Sequence, residues 1–287
     1  MELGRWEGMQ MDCLVSIFSK LGLDDLTTAV PLVCKSWNQA SVDPLCYRIL
    51  DFRHLDFNPS SPFASRFAFE FSVPRFSFSD FLKLAMARAR GAAVDLRFNS
   101  LFSASNQDLS LASDECSKLK NLILPRIESE DEEQLLKAIS NWKELEVLEM
   151  ESKPSVLHEM VKQIGLHCNK FQGLKLRGCI KKEDAAAIIG SLPKLKWLDL
   201  SCCRLGREDL LAIIDGCRDL NRLSVRDCIG FEADDELKRR ASGIVVFEHE
   251  GSMIEDECEL DELEDDRNVS LEQMLMYYDD CYAMWLF

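Results

Sequence analysis

One spacing of apolar residues recurs along the middle of the chain: apolar, two residues, apolar, one residue, apolar. It occurs at Leu119/Leu122/Leu124, Leu145/Leu148/Met150, Phe171/Leu174/Leu176, Leu195/Leu198/Leu200 and Leu220/Leu223/Val225. The starts are 24 to 26 residues apart, and a fixed period in this range indicates stacked repeats. Weaker copies begin at Tyr47, Ala93 and Ile244.

Between these short apolar runs the sequence changes to helical periodicity, as in residues 132–139, 185–189 and 209–214. Each of these stretches has apolar residues at i, i+3 and i+4 and acidic residues at its start, where the helix dipole favours them. The alternation predicts an α/β solenoid, a curved parallel sheet with outer helices. The units must stack, because no single unit can bury its apolar face alone.

Cysteines strengthen this register and identify the class of repeat. They stand three residues before a start at Cys116, Cys168 and Cys217, and eight residues after a start at Cys179, Cys203 and Cys228. The pattern resembles the cysteine-containing subclass of leucine-rich repeats. We therefore expect reduced, buried thiols stacked along the solenoid, rather than disulfides, and neither a metal site nor a cofactor.

The N-terminal block departs from the repeat and predicts three short helices. Leu14, Ile17, Phe18 and Leu21 share one helical face, and Gly22 is expected to end that helix. Asp24 or Asp25 is then expected to cap the second helix, and Pro31 to lie in the first turn of the third. So small a unit cannot bury all of its apolar residues, so some of them should face outward.

This block resembles an F-box in residues 12–21, in Asp25-Leu26, and in the Val-Cys-Lys-Ser-Trp run at 33–37, although Met9-Gln10 stands where that family usually has Leu-Pro. With the repeats, the chain resembles plant-type F-box/LRR-repeat proteins over residues 6–41 and about 90–250. The resemblance implies docking on a Skp-type adaptor, and through it on a cullin–RING ligase. The implied adaptor-binding residues are Met9, Leu14, Ile17, Phe18, Leu21, Leu26, Val33 and Trp37. For Leu14, Phe18 and Val33 the alternative is that they only pack the three helices together.

The resemblance further implies a non-catalytic subunit of an SCF-type (Skp adaptor–cullin–F-box) ubiquitin ligase, located in the cytoplasm or nucleus, whose repeats hold a protein substrate. The alternative is an interaction scaffold without a ubiquitin-ligase role, which would follow if Met9-Gln10 abolished adaptor docking. Strand positions beside the core leucines should project from the sheet and bind the substrate, which we expect to be acidic, around an exposed aromatic residue. They are Glu149, Glu151, Lys175, Arg177, Trp197, Asp199, Arg222 and Arg226.

These patterns divide the chain into an F-box at 6–46, a first irregular repeat with a Phe-rich insert at 47–92, and the solenoid at 93–250. Within the insert, residues 67–71 alternate like a strand, and a helix is expected between Ser79 and Arg90. An acidic segment at 251–269, expected to be disordered, and an apolar segment at 270–287, expected to be helical, follow. That apolar segment either closes the end of the solenoid or docks a second protein.

Charge and motifs exclude other classes of function. Residues 250–287 hold thirteen acidic residues and one Arg, and so carry −12 of the net charge of −16. This acidity disfavours nucleic-acid binding. The sequence shows no membrane-spanning apolar stretch and none of the common nucleotide-binding or nucleophile motifs of enzymes.

Overall fold

The computed structural model describes residues 9–100 and 104–254. The described residues belong to one compact unit that ends at Ile254. The predicted apolar segment at 270–287, and the acidic segment from residue 255 onward, lie outside the described residues.

A parallel sheet of eight strands forms the body of the molecule. Along the sheet the strands are β1 (Ile49–Asp51), β2 (Asp95–Arg97), β3 (Asn121–Leu124), β4 (Val147–Met150), β5 (Gly173–Lys175), β7 (Trp197–Asp199), β9 (Arg222–Ser224) and β10 (Val246–Glu248). The central leucines of neighbouring strands are paired in register, as Leu174 is with Leu198 and Leu198 with Leu223. All three are fully buried. The predicted solenoid of leucine-rich repeats is therefore confirmed.

Helices connect the strands of the solenoid. They are α6 (Asn106–Glu115), α7 (Glu132–Ile139), α8 (Leu157–His167), α9 (Lys182–Ser191), α10 (Arg207–Gly216) and α11 (Asp235–Arg240). Acidic residues at their starts also join neighbouring coils. Buried Glu132 accepts hydrogen bonds from the backbone N–H and hydroxyl of Ser155. Buried Asp184 pairs with Lys153 Nζ at 2.9 Å.

The later coils share a second, smaller ladder. It contains β6 (Cys179–Ile180) and β8 (Arg204–Leu205) and continues through single bridges to Ile229 and Met253. The turn before each of these rungs contains a residue with positive φ: Gly178 (130°), Cys202 (60°), Asp227 (53°) and Gly251 (78°). The same left-handed turn thus recurs four times, although glycine, which favours it, stands at only two of the positions.

The core cysteines follow the predicted register with one exception. Cys203 Sγ donates to the Leu176 carbonyl at 3.4 Å, and Cys228 Sγ to the Leu200 carbonyl at 3.1 Å. Burial raises the pKa of Cys228 to about 12. Cys179 is only half-buried, so the expectation of burial was wrong there. It begins β6, at the edge of the second ladder rather than beneath it.

The Phe-rich insert is helical where the alternation of residues 67–71 predicted a strand. It forms α4 (Pro62–Glu70) and α5 (Phe78–Ala89). The Ser61 hydroxyl accepts from Ala64 N, and Pro62 occupies the first turn, which is a strong helix start. The rings of Phe67 and Phe71 then meet one turn apart, with centroids 4.5 Å from each other. The expected helix is α5, which begins after Ser77 rather than at Ser79.

Candidate docking surfaces

The N-terminal unit (residues 9–47) contains α1 (Met11–Phe18), α2 (Leu23–Thr28) and α3 (Lys35–Ser41). Helix α1 ends at Phe18, so the prediction that Gly22 ends it was wrong. Gly22, and not an aspartate, stands at the N-cap of α2, with Asp24 and Asp25 in its first turn. Pro31 lies in a separate 3-10 turn at Val30–Leu32 rather than in the third helix. This turn changes the direction of the residues that follow it.

Three of the eight adaptor-binding candidates form the interior of this unit. Leu14 and Leu26 are fully buried, and Phe18 is 2% exposed. Trp37 is half-buried and packs edge-on against Phe18, with ring centroids 5.1 Å apart. Met9 is likewise half-buried against the core. Packing between helices therefore accounts for Leu14 and Phe18, as the alternative interpretation held, but not for Val33.

The other three candidates face solvent. Ile17 is 40% exposed, Leu21 37% and Val33 58%, and they are joined by Leu32 at 58%. We call these four residues the exposed apolar set. Leu32 was missed because the sequence placed it inside a helix that began at Pro31. Its signal is the Pro itself, which starts a short 3-10 turn whose end faces outward.

Gln10 occupies the position where the family pattern has proline. Its backbone has φ −60° and ψ 143°, and its side chain makes no capping hydrogen bond to α1. A φ near −65° is the value to which the ring of proline is locked. The chain therefore enters α1 with the backbone that proline would impose.

Arg88 of α5 joins the N-terminal unit to the first coil and the insert. Its Nη1 donates to the Tyr47 hydroxyl at 2.7 Å and approaches the Leu26 carbonyl at 3.5 Å. The guanidinium also lies 5.8 Å from the centre of the Phe71 ring. One side chain thus contacts α2, the residue after α4, and Tyr47, two residues before the first strand.

The second surface is the face of the main sheet that carries no helices, here called the open face. On each strand, the residue that follows the central buried residue is in register with its equivalents, and together these residues form one row. In order from β1 to β10 the row reads Asp51, Arg97, Ile123, Glu149, Lys175, Asp199, Ser224, Glu248. Lys175 Nζ lies 3.8 Å from carboxylate oxygens of both Glu149 and Asp199. From Glu149 through Lys175 to Asp199 the row therefore alternates in charge across neighbouring coils.

The predicted basic residues of this face are paired rather than free. Arg177 pairs with Glu151 at 3.2 Å. Arg222 pairs with Glu248 at 3.1 Å, and Arg226 contacts the same carboxylate. The open face is thus a mixture of both signs rather than a basic patch. The sequence had not indicated Glu248, because it lies on the weak last copy of the repeat.

Trp197 lies over Gly173 on the open face. A Cβ at Gly173 would stand 2.6 Å from Cε3 of the Trp197 ring and 3.1 Å from Cγ2 of Val147. Trp197 is consequently half-buried rather than fully projecting. The missing side chain at Gly173 creates the space in which the indole rests, next to the row that contains Lys175.

The described parts of the chain show neither a metal-binding cluster nor a membrane-spanning helix. Over residues 9–100 and 104–254, no cluster of three or more His, Cys, Asp or Glu could hold a metal ion. Helices there are also too short or too polar to cross a membrane.

Comparison with known proteins places these two surfaces in context. A family model described as F-box-like matches residues 11–53. An F-box/LRR-repeat protein of Arabidopsis thaliana is 30% identical over 232 residues, which cover 78% of this chain and 72% of that protein. This chain belongs to the F-box/LRR-repeat proteins. The F-box proteins FBW2 and SKIP19 of Arabidopsis thaliana are each 26% identical to it. The alignment with FBW2 covers 82% of this chain and 72% of FBW2. The alignment with SKIP19 covers 89% of this chain and 82% of SKIP19.

In this F-box/LRR-repeat protein the N-terminal unit is the F-box, and the exposed apolar set is its solvent-facing part. The repeats form the second surface. All eight predicted substrate-binding residues lie on strands β4, β5, β7 and β9 or within two residues after them. The structure thus shows which of the predicted side chains reach solvent on each surface, and their roles in binding remain predictions.

Proposed function

We propose that this chain is the substrate-recognition subunit of an SCF-type ubiquitin ligase, a non-catalytic role. The F-box docks a Skp-type adaptor, which connects to a cullin–RING ligase, and the repeats hold the protein to be modified. The observation that carries this proposal is the exposed apolar set on an F-box that is fixed to a leucine-rich-repeat solenoid.

Burial supports the adaptor part of the proposal. Five large apolar side chains of this small helical unit, the exposed apolar set and Leu45, are 37% to 58% exposed, although the unit has its own interior. Exposed apolar residues that cluster on a small unit are typical of interaction sites. The backbone of Gln10 favours docking over the scaffold alternative, because it presents α1 as proline would.

The test is the affinity for a purified Skp-type adaptor. The double variant Ile17→Asp, Val33→Asp should lower affinity at least 100-fold, because each carboxylate would be buried without a partner against an apolar surface. Leu166→Asp is the matched control, since Leu166 is 63% exposed on α8, away from the F-box. It should bind as the wild type does. Both variants should melt like the wild type.

Equal binding by the folded double variant and the wild type would contradict adaptor docking through the F-box. In that case the scaffold role would remain. If the adaptor binds, reconstitution with the cullin and RING subunits should give adaptor-dependent ubiquitination, and the same double variant should abolish it.

We further propose that the substrate contacts the open face around Trp197. A half-buried aromatic ring bordered by charges of both signs suits a segment with an apolar side chain and mixed charges, and less a purely acidic one. Gly173→Ala tests this point, because the added Cβ would displace the indole while leaving every charge in place. Once a substrate is known, this variant should weaken its capture without changing adaptor affinity.

A further inference from the structure

The insert carries an apolar side chain that the core does not use. Phe69 of α4 is 81% exposed, the largest exposed fraction among the large apolar residues that the structure describes. Its neighbours Phe67 and Ala64 are buried. At about 3.6 residues per turn, a residue two positions from Phe67 points away from the face that Phe67 buries. Phe69 therefore stands on the outer face of α4, while the other insert phenylalanines pack inward.

The outer face of α4 is fixed relative to the F-box. Helix α4 packs against α2 of the F-box. Arg88 contacts Phe71, the residue that ends α4, and the carbonyl of Leu26 in α2. From α2 the chain runs through Ala29 directly into the 3-10 turn that presents Leu32 and Val33. The C-terminal end of α4 and these two exposed residues thus adjoin the same short helix.

The two places also share a composition. Exposed Lys20 stands beside Leu21, and exposed Lys35 lies two residues after Val33. On α4, exposed Arg66 precedes Phe69 by three residues, a spacing that places both side chains on one helical face. At both places, exposed apolar residues are thus accompanied by basic residues. This composition suits one partner whose apolar pockets are bordered by acidic residues.

We propose that α4 extends the adaptor-docking surface beyond the F-box, with Phe69 inserted into an apolar pocket of the Skp-type adaptor and Arg66 facing an acidic rim. This inference rests on the proposed adaptor function. It gives the insert a role in assembly in addition to its packing against the core.

The experiment compares adaptor affinities of the full chain and of four variants at low and at physiological salt. Phe69→Ser should weaken binding about tenfold, a change that corresponds to about 1.4 kcal/mol. Arg66→Glu should weaken binding mainly at low salt, where charges at an interface are least screened. Leu166→Ser, the control at an exposed apolar residue on α8, should bind like the wild type.

The outcomes separate this inference from the function on which it rests. If the wild type binds the adaptor and Phe69→Ser binds equally well, the extension is overturned while the proposed function stands. If the wild type does not bind, both are overturned. Thermal melting checks the fold, and Phe69→Tyr, which retains the ring, should keep most of the affinity if the ring is what the adaptor recognises.

Discussion

The F-box and the solenoid use apolar residues in opposite ways. In the solenoid, Leu174, Leu198 and Leu223 are fully buried, each paired in register with its equivalents in the adjoining coils. In the F-box, Leu32 and Val33 are both 58% exposed. A repeat supplies its own partners by stacking, whereas a small helical unit leaves apolar surface for another molecule. Apolar residues thus stabilise the solenoid, whereas in the F-box they form the surface that we propose for docking.

The largest expected effect comes from truncating one apolar side chain in each region and comparing the two losses of stability. Leu198→Ala should lower the free energy of unfolding by about 2–5 kcal/mol, because it removes buried methyl groups and leaves a cavity. Val33→Ala should change it by less than about 0.5 kcal/mol, as is usual at exposed positions. Urea denaturation of both variants measures the contrast. Similar losses in the two variants would mean that Val33 is a core residue and that the comparison is wrong.

Gly230 tests how strongly the solenoid depends on a backbone position with positive φ and little space. Gly230 has φ 117°, and a Cβ there would lie 2.7 Å from the Leu205 carbonyl oxygen. Gly230→Ala should therefore destabilise the protein by about 1–3 kcal/mol.

Gly190 is the matched control for this substitution. It lies inside α9, and a Cβ there would meet nothing within 4 Å. Gly190→Ala should stabilise the protein by about 0.5–1 kcal/mol. Thermal or urea unfolding measures the change in the free energy of unfolding for each substitution. Changes of the same sign would show that the available space and the value of φ at these two positions do not determine the effect on stability.

Alkaline pH should act mainly on the solenoid. Burial raises the pKa of Cys116 and Cys168 to about 12, and that of Cys217 to about 11, from a model-compound value of 9.0. Because the native pKa is the higher one, the full stability is present below pH 9 and is lost as the pH rises from 9 towards 12. For each such thiol, the free energy of unfolding should fall by about 1.4 kcal/mol per pH unit between the unfolded-state pKa and the native pKa.

Urea denaturation at pH 8, 9 and 10 measures this loss. Cys168→Ala should flatten the decline above pH 9, and Cys13→Ala, at an exposed position in α1, should leave its slope unchanged. A decline that is the same in all three proteins would assign the alkaline effect to other groups.

The smallest expected effect is at the start of the F-box. Gln10→Pro should be tolerated and should stabilise the protein by about 0.4–1 kcal/mol, because the native φ is already that of proline and the unfolded chain loses freedom. Calorimetry would detect the shift. A clear destabilisation would show that the backbone N–H of Gln10, or the conformation of Met9, does not admit proline.

Sequence periodicity predicted the solenoid well because stacking repeats one local pattern, and every copy strengthens the register of the others. It failed where a signal occurs once. The alternation of Phe67, Phe69 and Phe71 suggested a strand, yet the cap at Ser61 and Pro62 makes the segment helical. Pro31 likewise starts a 3-10 turn instead of α3, which is why Leu32 was missed. The candidate substrate-binding residues could be placed on the strands by spacing, but their ion pairs depend on contacts between coils that spacing alone does not reveal.

The second ladder has a consequence for how the chain acquires its structure. The coils that share it, from residue 178 to residue 253, repeat both the strand and the left-handed turn, so each formed coil offers two templates to the next. The earlier coils offer only one. In a linear array of nearest-neighbour contacts, nucleation favours the segment with the strongest coupling. We expect folding to begin among the coils around β7 and β9 and to spread towards the amino terminus, with amide protons of these strands the slowest to exchange.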